Sequence, residues 1–265
     1  MTADGLKGKW ALILGASSGF GAATSRELAK RGMHIIGVHL DRRAALAGIE
    51  ELVKSLQDQG VQTHFFNVNA ADPLKRQEVL DQIQPKLGGA MITVLMHSLA
   101  FGTLKPYLTA DPKEQLTKDQ MEMTLDVMAN SLVYWVQDLV GRKLFGKGSR
   151  VFAMTSSGGT RVWPTYGAVS AAKAALESHI RQLAMELAPY GATANAVRAG
   201  VTDTPALRKI PGNEQMMEFS KVRNPHHRLT APEDVAQAIA VLANSGADWV
   251  TGNTIGVDGG EDIVG

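Results

Sequence analysis

Seven short runs of apolar or β-branched residues, bounded by turn residues and separated by six stretches of helical periodicity, constrain this chain more than any other feature. The runs span 10–14, 34–40, 61–68, 91–96, 150–154, 193–197 and 254–257. The helical patterns span 20–31, 43–59, 73–87, about 113–145, 164–189 and 232–243, several opened by Asp or Pro signals such as Asp72-Pro73, Asp111-Pro112 and Ala231-Pro232. Runs that stay apolar along their length suit strands buried on both faces, and their alternation with helices implies right-handed βαβ crossovers. The expected architecture is α/β: a doubly wound, seven-stranded parallel sheet with helices on both faces. Nothing in 265 residues interrupts the alternation, so a single domain over 1–265 is expected. One segment, 201–228, lacks clear periodicity and is rich in Pro, Met and basic residues, which reads as a substrate-binding lid.

Composition narrows the function classes. Hydrophobic content of 45% supports a large core, while a formal net charge of +1 creates no field to attract nucleic acid or an anionic membrane, and neither partner is expected. No stretch approaches the roughly 20 apolar residues of a membrane span, and MTADGLKGK lacks the apolar middle of a signal peptide, so a cytoplasmic protein is expected. The absence of cysteine excludes disulfides, thiol catalysis and thiolate metal sites. The seven histidines show no metal-ligand spacing, and adjacent His226 and His227 would diverge on regular structure.

Gly15-Ala16-Ser17-Ser18-Gly19-Phe20-Gly21 stands where the first strand ends and the first helix begins. In that context glycines let the backbone approach a pyrophosphate, the helix N-terminus supplies free N–H groups, and Ser17 and Ser18 add hydroxyl donors. The turn makes the fold Rossmann-type and the expected ligand a nicotinamide dinucleotide. His39-Leu40-Asp41-Arg42-Arg43 follows the second strand with conflicting signals: Asp41 suits ribose hydroxyls, whereas Arg42 and Arg43 suit a 2′-phosphate or simply a solvated helix start. The paired guanidiniums favour NADPH, with NADH open. Asn67 and Val68, at the end of the third strand, are placed to read the adenine edge.

Tyr166 and Lys173, seven residues apart on one helical pattern, share a face and can lean into one cleft. GASSGFG, the Tyr/Lys helix and the closing TGNTIGVDGG together resemble the short-chain dehydrogenase/reductase family across nearly the whole chain. Tyr166-x6-Lys173 replaces that family's usual Tyr-x3-Lys, Ser170 standing where Lys would be, and His97-Ser98-Leu99-Ala100-Phe101 replaces Asn-Asn-Ala-Gly. Both replacements resemble the divergent enoyl-acyl carrier protein reductases. GxxxGxG, KAALE and DTPALRKIPGNE are most similar to their NADPH-using subtype III.

The resemblance implies cofactor contacts at Ser98, Leu99, Lys173, Gly200, Val201 and Thr204. It implies a catalytic role for Tyr166 and Lys173, with Ser156 resembling the wider family's substrate-facing Ser. Asn130 is a candidate for the family's helix Asn, although the register puts that position nearer Met128. Reduction of an enoyl thioester needs hydride at the β-carbon and a donor for the enolate oxygen. The Tyr166 hydroxyl suits the second task, and Lys173 is expected to bind the nicotinamide ribose and make the phenol more acidic. His97 reads as a catalytic acid or, in preference, as structural at a strand end. Met121, Met123, Met128, Tyr134 and Trp135 read as helix packing.

Within the lid, Met216, Met217 and Phe219 suit an acyl channel, and Arg208, Lys209, Lys221, Arg223 and Arg228 suit steering of an acidic carrier protein. The resemblance implies a thioester of acyl carrier protein or CoA as substrate, and a homotetramer through the 113–145 and 164–189 helices. Alternatives are a 3-oxoacyl or other carbonyl/alcohol oxidoreductase, in which Tyr166 protonates the carbonyl oxygen, and a non-catalytic dinucleotide sensor.

Overall fold

The computed structural model describes residues 5–264. Among these, seven strands form one sheet: β1 Trp10–Leu14, β2 His34–His39, β3 Thr63–Asn67, β4 Ile92–His97, β5 Arg150–Ser156, β6 Thr193–Ala199 and β7 Thr254–Val257. Every pairing is parallel and the order is β3-β2-β1-β4-β5-β6-β7. The chain turns back between β3 and β4, which makes the β1/β4 boundary the topological switch point, where ligands bind beyond the strand C-termini.

Alternation along the central strands feeds two cores. Leu12, Leu14, Ile36, Leu95 and Val151 pack with Trp135 and Leu176 on one face. Ala11, Ile13, Ile35, Val94 and Met96 pack with Leu28, Val235 and Ile239 on the other. The covering helices are α1 Gly19–Lys30, α2 Leu46–Gln57, α3 Pro73–Ile83, α4 Lys118–Leu125, α5 Ser131–Gly141, α6 Gly167–Leu187, α7 Asn213–Arg223 and α8 Pro232–Leu242.

Two expected elements differ. The single helix expected over 113–145 begins at a Thr117/Gln120 capping box and is divided by a π-helical turn, Asp126–Asn130, between α4 and α5. The 201–228 segment is not structureless: it holds a short 3₁₀ turn, Leu207–Lys209, and α7. Only Ser220 of α7 is fully buried, so the helix never needed the apolar stripe that a sequence reading looks for. Of the five residues assigned to packing, Met128 and Trp135 are buried, the latter donating its indole N–H to Ala70 O at 2.8 Å.

At the strand N-termini, Trp10 stacks on His64 with ring centroids 5.7 Å apart and meets His34 at 4.7 Å. His64 Nε2 is buried with no hydrogen-bond partner. Burial holds His34 below the usual imidazole value of 6.5; burial, then the Lys86 charge and His34, do the same to His64. Folded-state values below the unfolded one mean that the unfolded chain binds more protons. This contribution to stability is therefore full above pH 6.5 and is lost as pH falls through the folded values. His64→Phe, which keeps a ring on Trp10, is expected to flatten the decline in urea midpoint between pH 7.5 and pH 5.5. An unchanged slope would show that the cluster does not sense acid.

Candidate active site

The glycine turn is a cradle that side chains would fill. Gly15 has φ +88°, and a Cβ there would collide with Ser98 O and lie 2.9 Å from Ser98 C, across the β1/β4 switch point. A Cβ at Gly21 would collide with Gly15 O. Ser18 is the N-cap of α1 but its hydroxyl makes no capping bond, which leaves the first-turn N–H groups available to an anion. Beside the turn, His39 is buried against Phe65, and its Nδ1 lies 3.0 Å from Asp41 Oδ2. Asn67 clamps the Asp41 backbone, accepting from its N–H at 2.9 Å and donating to its carbonyl at 3.0 Å. Val68 N–H donates to His39 O at 2.8 Å. Among the described residues Arg42 and Arg43 have no carboxylate partner. The residues present fit a dinucleotide: an open backbone cradle with, beside it, an acid turned inward toward His39 and two guanidiniums that have no carboxylate partner among the described residues.

From this cradle a cavity of about 850 Å³ runs along the sheet's C-terminal edge. Phe20, Ser98, Leu99, Ser156, Tyr166, Lys173, Gly200, Val201 and Thr204 all border it. Gly15, Ser17, Ser18, Gly19, Gly21, His39, Asp41, Arg42, Asn67 and Val68 lie outside its walls, on the turn and at the ends of β2 and β3. The two parts touch where a Cβ on Gly19 would meet Thr204 Cγ2 at 3.4 Å.

Tyr166 is the N-cap of α6 and Lys173 stands in its second turn, so both side chains reach the same cavity. The Tyr166 hydroxyl faces Ser156, whose Oγ accepts from Gly158 N–H at 3.1 Å. Gly158 packs against the Tyr166 ring; a Cβ there would lie 2.5 Å from Cε1. Lys173 Nζ donates to Met154 O at 2.7 Å. Burial pushes the Lys173 amine down to about 8, opposed by Glu177, which is held by the Thr155 hydroxyl at 2.7 Å. The expectation of a more acidic phenol is reversed. Burial raises Tyr166 above its usual value, outweighing the opposing influence of Ser156, so the site holds a neutral phenol able to donate.

His97 is fully buried and pushed down to about 3, by burial first and the Lys173 charge second, which keeps it neutral. Its Nε2 lies 2.9 Å from Ser131 Oγ, which donates to Val127 O in the π-turn. Asn130 points away from the cavity to His179 at 3.1 Å, whereas Met128 lines it. Among the described residues no group of three or more His, Asp or Glu is arranged to hold a metal ion.

A family model described as "Enoyl-(Acyl carrier protein) reductase" matches residues 15–261. The chain belongs to the short-chain dehydrogenase/reductase family, in its enoyl-acyl carrier protein reductase-like branch. As a short-chain dehydrogenase/reductase it is 30% identical over 255 residues to 1-cyclohexenylcarbonyl-CoA reductase of Streptomyces collinus, covering 96% of this chain and 86% of that protein. It is 29% identical over 255 residues to the 3-oxoacyl-[acyl-carrier-protein] reductase of Pseudomonas aeruginosa, covering 96% and 98%. The structure of the NADH enoyl-[acyl-carrier-protein] reductase of Aquifex aeolicus superimposes with a TM-score of 0.84 at 23% identity over 98% of both chains, which shows the shared fold.

Several parts of this short-chain dehydrogenase/reductase site carried no signal in the sequence. Phe101, Leu104, Trp163 and Val222 wall the cavity although they come from loops and the lid, where no periodicity marks an inward face. Thr165, just before Tyr166, has φ +63°, a left-handed conformation that strains a β-branched residue. The 201–228 segment departs from its expected charge. Arg208, Lys221, Arg223 and Arg228 pair with Asp203, Glu218, Glu261 and Asp234, and only Lys209 of the five lacks an acid among the described residues. The expected steering field is thereby largely neutralised. Met216 and Phe219 do line the cavity; Met217 does not.

Proposed function

We propose that this oxidoreductase reduces the 2,3 double bond of an enoyl thioester, carried on acyl carrier protein or CoA, with NADPH. The observation that carries the reading is a burial-raised phenol at Tyr166, paired at x6 spacing with Lys173, at the floor of a largely apolar cavity. When bound, reduced nicotinamide supplies the hydride. Tyr166 donates a hydrogen bond to the thioester oxygen as enolate charge develops, Ser156 orients the phenol, and Lys173 holds the nicotinamide ribose. Phe101, Leu104 and Met216 exclude water from the acyl chain. The name of the Streptomyces collinus relative supports this reading, since a 1-cyclohexenylcarbonyl thioester is itself α,β-unsaturated.

Choice of NADPH rests on Arg42 and Arg43 lacking acids while Asp41 faces His39. A cytoplasmic homotetramer belongs to the same reading; among the described residues no helix is long and apolar enough to cross a membrane. Met185 on α6 stays 64% exposed in the single chain, as a subunit contact would.

The placement of Ser156 beside Tyr166 favours a second reading, protonation of a ketone by Tyr166, and the Pseudomonas aeruginosa relative is named for that chemistry. Crotonyl and acetoacetyl thioesters, each followed with NADPH and with NADH, separate the two. Faster oxidation with crotonyl thioester and NADPH is expected. Turnover confined to the keto substrate would replace the first reading with the second.

A further inference from the structure

Beyond β7 the chain passes through Gly259 and Gly260, both left-handed at φ +62° and +85°, and brings Val264 to the cavity wall. This turn delivers Glu261 into the protein with 2% exposure. Its carboxylate gathers three donors from two separate elements. Oε2 accepts from Val201 N–H at 3.1 Å, on the loop leaving β6. Oε1 accepts from Ser220 Oγ at 3.1 Å and Arg223 Nη2 at 3.3 Å, both on α7. The fit is tight enough that a Cβ on Gly200 would lie 2.8 Å from Oε2. Asp262 then ties Arg161, on the cavity rim, to Arg198 of β6 at 2.9 Å and 3.1 Å.

A buried ion pair is weak support for stability, because desolvation cancels most of its attraction and an apolar substitute of equal volume often does as well. The acid at 261 does something an apolar side chain cannot. It bonds a backbone N–H beside the cavity floor and a hydroxyl and guanidinium on the lid at once, and so fixes the height of α7 over the acyl space.

We infer that Glu261 is a positioning residue that locks the lid helix α7 to the Gly200–Val201 loop and so governs thioester recognition rather than the chemical step. The inference rests on the enoyl thioester reading for its substrate, although not for its lid contact. The glycine cradle lies at the other end of the site, so the loss should fall on the thioester more heavily than on the dinucleotide, although the acid also holds the Val201 N–H of the expected nicotinamide loop.

The test compares Glu261→Gln, which keeps an oxygen acceptor but loses the charge, with Glu261→Ala and with Ser220→Ala, which removes one lid donor and leaves the acid in place. Measured are KM and kcat for crotonyl-CoA, NADPH affinity by fluorescence, thermal midpoint, and limited proteolysis within 205–225. For Glu261→Ala, KM for the thioester is expected to rise about tenfold or more, with kcat within about threefold, a smaller loss of NADPH affinity than of thioester affinity, and faster cleavage in the lid. Glu261→Gln is expected to fall between Ala and the parent. An unchanged KM and lid cleavage rate overturn the proposal, whether or not the thermal midpoint falls, because a merely structural acid would move only that midpoint. Loss of kcat with constant KM also overturns it. Should the parent protein turn over no enoyl thioester, the substrate reading fails, while lid cleavage still decides the role of Glu261.

Discussion

Tyr166→Phe is expected to cut turnover of a crotonyl thioester by roughly a hundred- to a thousandfold, the usual loss when one donor to a developing oxyanion is removed. The substitution is close to a pure test of the hydroxyl. Phenylalanine keeps the ring on Gly158 and leaves the N-cap backbone of α6 unaltered. It also releases Ser156, whose Oγ retains the Gly158 N–H. Because the hydroxyl is assigned to the thioester rather than to the cofactor, NADPH affinity measured by fluorescence should change by less than about threefold. KM should also move little, since the bond strengthens chiefly as charge develops. Steady-state oxidation at saturating thioester reads the first quantity directly. Activity kept within a few-fold of the parent protein would remove Tyr166 from the chemistry and leave the cavity without its assigned donor.

What could be read in advance followed the range of the interaction. β1 and β7 have the predicted limits, and the other strands differ by one or two residues at an end, because burial on both faces leaves a local mark: a run such as Trp10–Leu14 is apolar throughout. The glycine turn and the Tyr166/Lys173 spacing are also local, set by one strand-to-helix junction and by one helix. Their assembly into one site follows from the β1/β4 switch point once the parallel order is known. The π-turn at Asp126–Asn130 left no trace, because its residues continue the helical pattern and its packing partner, α6, is distant in sequence. The raised phenol was beyond reach for a similar reason: a Tyr at a helix start says nothing of its desolvation. Glu261 is the extreme case. Its donors lie 38, 41 and 60 residues away, on elements that have no common periodicity. Asp41 falls between, since His39 is only two residues off, yet the side to which the carboxylate turns depends on Asn67 clamping its backbone from β3.

Gly21→Ala is expected to abolish dinucleotide binding, with at least about a hundredfold loss of NADPH affinity, and to lower the thermal midpoint by several degrees. Two effects oppose each other at this position. Gly21 lies inside α1 with no positive φ, so helix propensity alone favours alanine by about 1 kcal/mol. Against that, the new methyl would overlap Gly15 O and sit 2.8 Å from Gly15 C and 3.2 Å from Ala16 Cα. All three are backbone atoms of the turn itself, which no rotamer change can move aside. Gly15 is already pinned on its other flank, its N–H bonded to Val38 O at 2.8 Å and the space a Cβ would need taken by Ser98 O. Relief therefore comes only by pushing α1 away from the turn, which opens the cradle between the free N–H groups and the β1/β4 crevice. Gly48→Ala supplies the control: it is also helical, has no positive φ and meets nothing within 4 Å, so it should be neutral or slightly stabilising and bind cofactor normally. Equal behaviour of the two variants in fluorescence titration with NADPH would show that the glycines at 15 and 21 do not form the phosphate cradle, and the functional reading would lose its cofactor.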